Sequence, residues 1–107
     1  MKTAFFLAAA AMFVLSTTAG AAVDADAATQ ALKDNGCTKC HSVDKTKKGP
    51  AFKKVAADMK GKADAEATLT TFLTTGPKVK MDGVEEEHKA VKDPGVVKNL
   101  VQFILAQ

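Results

Sequence analysis

Cys37, Cys40 and His41 carry the strongest chemical signal in the chain, standing together as Cys37-Thr38-Lys39-Cys40-His41. Two thiols three residues apart reach the two vinyl groups on one edge of a porphyrin. The next residue is then carried beneath the ring, where an imidazole nitrogen can bind iron. The C-x-x-C-H pattern predicts covalent attachment of one c-type haem, with His41 as an axial ligand. Three other readings compete. A structural zinc site needs two further Cys or His ligands, and the chain offers no third cysteine and only one more histidine, His88. A thioredoxin-like dithiol needs a βαβ context, for which there is no sequence pattern. The third is chance occurrence in a loop.

The elements that must position this motif are few. The chain has 107 residues, room for one domain. Lys2, the apolar run Ala4 to Leu15 and the small residues Ala19-Gly20-Ala21 together predict a secretory signal peptide over residues 1–21. The alternative is a retained anchor, but a spanning helix needs about 20 apolar residues, and Ser16, Thr17 and Thr18 interrupt the run. The expected domain is residues 22–107, small enough to need a staple. A Cys37–Cys40 disulfide closes too short a loop to stabilise much. A bound cofactor is the better staple.

Removal of Lys2 leaves 14 lysines against 12 acidic residues, a formal balance of +2, with no arginine. So weak a balance, with no Arg, Trp or Tyr, excludes a nucleic-acid reading. Lys39, Lys45, Lys47, Lys48, Lys53 and Lys54 crowd around the cysteine motif, and Glu85, Glu86 and Glu87 form an opposing acidic run.

The chain reads as all-α. Asp24 to Asn35 is Ala-rich and stops at Gly36. Cys37 to Gly49 reads as a loop. Pro50 is expected to open a short helix carrying Phe52, Val55 and Met59 on one face and ending at Gly61. Ala65 to Thr75 places Leu69, Phe72 and Leu73 at helical spacing, with Gly76-Pro77 as terminator. Its five threonines weaken helix propensity, so packing must hold it. Lys78 to Lys92 shows no clear period and reads as a loop, with no alternation long enough for a sheet. Asp93 and Pro94 start a strongly apolar last helix. Phe52, Phe72 and Phe103 read as core or haem-packing aromatics, and Met59 as core.

Three segments carry a resemblance: Asn35-Gly36-Cys37-Thr38-Lys39-Cys40-His41, Lys48-Gly49-Pro50-Ala51-Phe52, and the terminal Leu100-Val101-Gln102-Phe103-Ile104-Leu105. With them the chain resembles a small bacterial class I cytochrome c over nearly all of residues 22–107. The resemblance implies an all-α fold of about four helices around one covalent haem, the first and last helices crossing beside it. It also implies that the Pro50 carbonyl accepts a hydrogen bond from the outer ring nitrogen of His41, fixing its tautomer and orientation.

The sixth iron ligand departs from the family pattern, in which a Met, often followed by Pro, precedes the last helix. Here Met81 is followed by Asp82. The family ligand usually lies in the mid-teens of residues ahead of the terminal aromatic. Measured from Phe103, His88 lies 15 residues ahead and Met81 lies 22. The register favours His88, and an insertion in Gly83 to Asp93 would restore Met81. The choice matters, because Met on iron raises the reduction potential relative to a second imidazole.

A six-coordinate haem leaves no open position for substrate. The resemblance therefore implies a periplasmic electron carrier, not an enzyme, that docks transiently on redox donors and acceptors near the haem edge. A monomer without stable membrane insertion after signal removal is expected. The lysine cluster would steer an acidic partner. The alternatives are a haem-based gas or redox sensor, in which the sixth ligand leaves, and a small haem subunit of a larger redox enzyme.

Overall fold

The computed structural model describes residues 22–107, and the signal-peptide reading of residues 1–21 lies outside the described residues. Four helices surround a central slot: α1 (Ala25–Asp34), α2 (Phe52–Met59), α3 (Ala65–Thr75) and α4 (Pro94–Leu105). Cys37–Lys39 forms a single 3₁₀ turn directly after α1. Among the described residues no helix is long and apolar enough to cross a membrane.

Local chemistry sets the helix ends. The Asp24 carboxylate accepts from the Ala27 N–H at the start of α1, and the Asp93 carboxylate accepts from Gly95 and Val96 at the start of α4. Each cap satisfies N–H groups that have no partner inside the helix. Pro94 occupies the first turn of α4, where its missing N–H costs nothing. In α3 the hydroxyls of Thr74 and Thr75 bond back to the carbonyls of Thr70 and Thr71, which spends the threonines' polar groups within the helix.

α4 is the spine. Val97, Leu100, Val101 and Ile104 are all buried. Leu100 and Ile104 pack with Ala28 and Leu32 of α1 and Phe52 of α2. Val97 and Val101 pack with Val91 and, half-buried, Leu69 and Leu73 of α3. The crossing of α1 over α4 is also tied by a reciprocal pair. Asp24 N–H donates to the Asn99 side-chain oxygen, and the Asn99 amide donates to the Asp24 carbonyl, both at 2.9 Å.

Two expectations need correction. Residues 78–87 are not a loop but an antiparallel hairpin of β1 (Lys78–Met81) and β2 (Val84–Glu87). Asp82 and Gly83 both take positive φ, as a two-residue I′ turn requires. The register pairs Lys78 with Glu87 and Lys80 with Glu85 on one face, Val79 with Glu86 and Met81 with Val84 on the other. The second correction concerns Pro50. It precedes the helix: Ala51 is the N-cap and α2 begins at Phe52. The hydrogen bonds from Phe52 N–H to Ser42 O and Lys53 N–H to Val43 O hold this entry against the preceding loop, so the first turn of the helix cannot extend back to Pro50.

Candidate functional site

The turn that follows α1 presents the motif. His41 N–H and Cys40 N–H both donate to the Cys37 carbonyl, so the five residues coil tightly. Both thiols are free and half-buried. Burial pushes the Cys37 thiol above its ordinary pKa; a backbone hydrogen bond and then Lys89 pull the other way.

The loop from Ser42 to Pro50 then returns beneath His41. Gly49 N–H donates to the Cys40 carbonyl at 2.8 Å, which brings the Pro50 carbonyl to 2.7 Å from His41 Nδ1. With Nδ1 spent there, Nε2 is the free ring nitrogen. Gly49 is needed for this close approach, since a Cβ there would stand 2.5 Å from His41 Cε1. Phe52 stacks on the same imidazole, centroids 5.1 Å apart and planes within 19°.

A cavity of about 330 Å³ opens in front of His41. Its walls are Leu32, Val55, Met59, Leu69, Phe72, Leu73, Leu100 and Ile104 from the four helices, with Val79 and Met81 from the hairpin. Cys37 lines one edge, and Lys48 and Lys80 are the cations on its border. Met59, expected as core, is half-buried in this wall.

His88 faces His41 across the slot, the two ring centroids 6.1 Å apart. Its Nδ1 is 3.0 Å from the Lys89 carbonyl, so again Nε2 is the nitrogen left free. Burial lowers the pKa of His88; the Lys89 carbonyl opposes this and the proximity of His41 adds to it. Phe72 meets the His88 ring edge-on at 4.8 Å. The facing of Phe72 against His88, and the contact of Gly49 with His41, have no signature in the sequence pattern. Both follow from how α3 and the Ser42–Pro50 loop are hung.

The six lysines around the motif differ in their partners. Lys53 pairs with Asp44 at 2.6 Å and Lys54 with Asp58 at 2.7 Å, while Lys47 donates to the Thr38 carbonyl. Lys39, Lys45 and Lys48 have no ion-pair partner among the described residues.

The donor set and the slot fit a haem: two thiols at one edge, an apolar interior, and two imidazoles facing across it. The family model for cytochrome c matches residues 25–105. The chain belongs to the cytochrome c family. It is 34% identical to cytochrome c-551 of Pseudomonas aeruginosa over 76 residues, 71% of this chain and 72% of that protein. Among solved structures, it superposes on the class 1 cytochrome MtoD from Sideroxydans lithotrophicus ES-1 with a TM-score of 0.77 and 53% identity, covering 79% of this chain and 97% of that one. Nitrosomonas europaea cytochrome c552 follows at a TM-score of 0.60 and 27% identity, over 72% and 95% of the two chains. This cytochrome therefore has the class I fold, four helices with a two-stranded hairpin, and carries one covalent haem c. Membership makes it a monohaem electron carrier.

Proposed function

We propose that this cytochrome is an exported, periplasmic, monomeric electron shuttle whose haem is bonded through Cys37 and Cys40 and ligated by His41 and His88. The separation of the two imidazoles carries the reading. Metal–imidazole bonds are about 2 Å long, so one iron between two ring nitrogens sets those nitrogens about 4 Å apart and the ring centroids a little over 6 Å apart. The 6.1 Å between His41 and His88 suits that arrangement. Met81 also borders the cavity, from β1.

The haem, when bound, supplies a single iron that takes up or gives up one electron. The chain does the rest. Pro50 holds the His41 imidazole in one tautomer and makes it a stronger donor. The apolar walls would keep water from the iron and favour its less-charged, reduced state. With His41 and His88 both holding the iron, no position would be left for a substrate, and electrons would pass through the edge of the group that Cys37 borders. Lys48, on the cavity border, and Lys39 and Lys45, close to the motif in sequence, supply unpaired positive charge that would draw an acidic redox partner.

Absorption spectra of the purified protein and two variants test the ligand set. The expected parent spectrum is low-spin, lacks the near-infrared sulfur-to-iron band, and does not change with carbon monoxide. His88→Ala is expected to become high-spin and to bind carbon monoxide, with Met81→Ala unchanged. A sulfur-to-iron band that vanishes in Met81→Ala would assign the sixth position to Met81. Mass spectrometry of the periplasmic product, expected to begin after Ala21 and to carry one haem, tests export and attachment.

A further inference from the structure

The two imidazoles are held in different ways. His41 follows the attachment cysteines directly and is fixed by Pro50. His88 sits in a short segment between β2 and α4, and its own ring bond reaches only the adjacent residue, Lys89. Something outside that segment must hold it.

The C-terminal end of α3 does so. His88 N–H donates to the Pro77 carbonyl at 2.9 Å, and Val91 N–H donates to the Leu73 carbonyl at 2.8 Å. The Lys92 ammonium donates to the Thr74 carbonyl. The last carbonyls of a helix have no partner within it; those of Leu73 and Thr74 receive Val91 and Lys92, while the Pro77 carbonyl, two residues past the end of α3, holds His88 by continuing the β1–β2 pairing. Gly76 lies between them. It ends α3 in the left-handed region at φ 57°. A Cβ on Gly76 would collide with the backbone carbonyl of His88 itself, and would also stand 3.1 Å from the Ala90 Cβ and 3.2 Å from the Ala90 nitrogen. The absence of a side chain at position 76 is what lets the His88 backbone lie against the helix end.

We propose that Gly76, with Lys92, is a positioning residue for the sixth ligand: the α3 terminus is a clamp that sets how firmly His88 is held at the iron. This rests on His88 being that ligand. The clamp does not touch the haem, so its effect passes entirely through the backbone of His88.

Gly61 supplies the control. It too has positive φ, at 79°, but a Cβ there meets nothing within 4 Å. Gly61→Ala introduces backbone strain alone, whereas Gly76→Ala introduces the same strain together with a collision at His88. The readouts are the spin state and carbon monoxide binding of the haem-loaded protein at neutral pH. Gly76→Ala is expected to show a high-spin fraction and at least about tenfold more carbon monoxide binding, since disturbing the groups that hold a metal ligand costs 10- to 100-fold in affinity. Added imidazole should restore the low-spin spectrum. Gly61→Ala should stay low-spin and refuse carbon monoxide even if less stable. Lys92→Met, which leaves the backbone alone, should bind carbon monoxide more than the parent and less than Gly76→Ala; should Gly76→Ala not fold, Lys92→Met decides. If His88→Ala becomes high-spin while the folded clamp variants match the parent, the clamp is overturned and the ligand assignment stands. If His88→Ala stays low-spin, the ligand assignment falls first.

Discussion

Gly49 lies against the edge of the His41 ring, so close that a Cβ would stand 2.9 Å from both ring nitrogens. Real Cβ atoms do not approach so near, and the ring would have to turn away. Turning weakens the hydrogen bond to Pro50, which makes the imidazole a poorer electron donor. A poorer donor stabilises ferric iron less. Gly49→Ala is therefore expected to raise the reduction potential by on the order of tens of millivolts, with haem still attached. Redox titration of the purified variant checks this, and a lower potential would contradict the role given to the Pro50 carbonyl.

Asn99 and Asp24 join the two ends of the domain by a reciprocal pair of hydrogen bonds. Asn99 is half-buried beside Leu100 on α4. Asn99→Ala removes both bonds at once, each worth about 1 kcal/mol net. The expected loss of stability is about 1–2 kcal/mol, read as a lower denaturant midpoint with an unchanged absorption spectrum. A spectral change would mean that the α1–α4 crossing also shapes the haem slot.

Much of this arrangement is legible in the sequence, for definite reasons. The attachment motif is five consecutive residues, so its geometry is local. The caps Asp24 and Asp93 and the apolar period of α4 are local too. The hairpin was hidden because its strands are four residues each and β2, Val84–Glu87, is exposed throughout. An apolar alternation cannot appear on a strand that buries nothing. Only Asp82-Gly83 marked it, as a dipeptide suited to an I′ turn. Ion pairing inside the lysine cluster is hidden from the sequence for a related reason. Proximity in sequence does not reveal that Asp44 and Asp58 neutralise Lys53 and Lys54. Gly76 was visible as a helix stop, but its contact with His88 depends on a chain reversal through the hairpin.

His88 gives the protein a pH dependence of definite sign. Burial lowers its pKa in the folded chain; the Lys89 carbonyl opposes and His41 reinforces the shift. In the unfolded chain an imidazole takes up a proton near pH 6.5. The unfolded state then binds more protons than the folded one, so stability falls as pH drops below about 6.5. It is fully present above that value. The proposed bond from His88 Nε2 to iron would act in the same direction, because a ligand must be deprotonated. Denaturant midpoints measured from pH 8 to pH 5 should fall on the acid side, and less steeply in His88→Met. Equal slopes in the two proteins would exclude His88 as the group responsible.

The lysines separate into those already paired and those free to meet a partner. Replacing Lys39, Lys45 and Lys48 together by Gln removes three charges that have no ion-pair partner among the described residues. Steering charges act mainly on the association rate, and salt screens them over about 10 Å at 0.1 M. Electron transfer to an acidic redox protein should therefore slow in the triple variant at low ionic strength and match the parent at high ionic strength. The Lys53→Gln and Lys54→Gln pair should slow it much less. Each of those lysines sits beside an aspartate, so its field is largely cancelled at the distance where encounter begins. Stopped-flow rates at several salt concentrations decide the matter. Equal slowing by both sets would mean that overall charge governs the encounter, with no special part for the unpaired lysines.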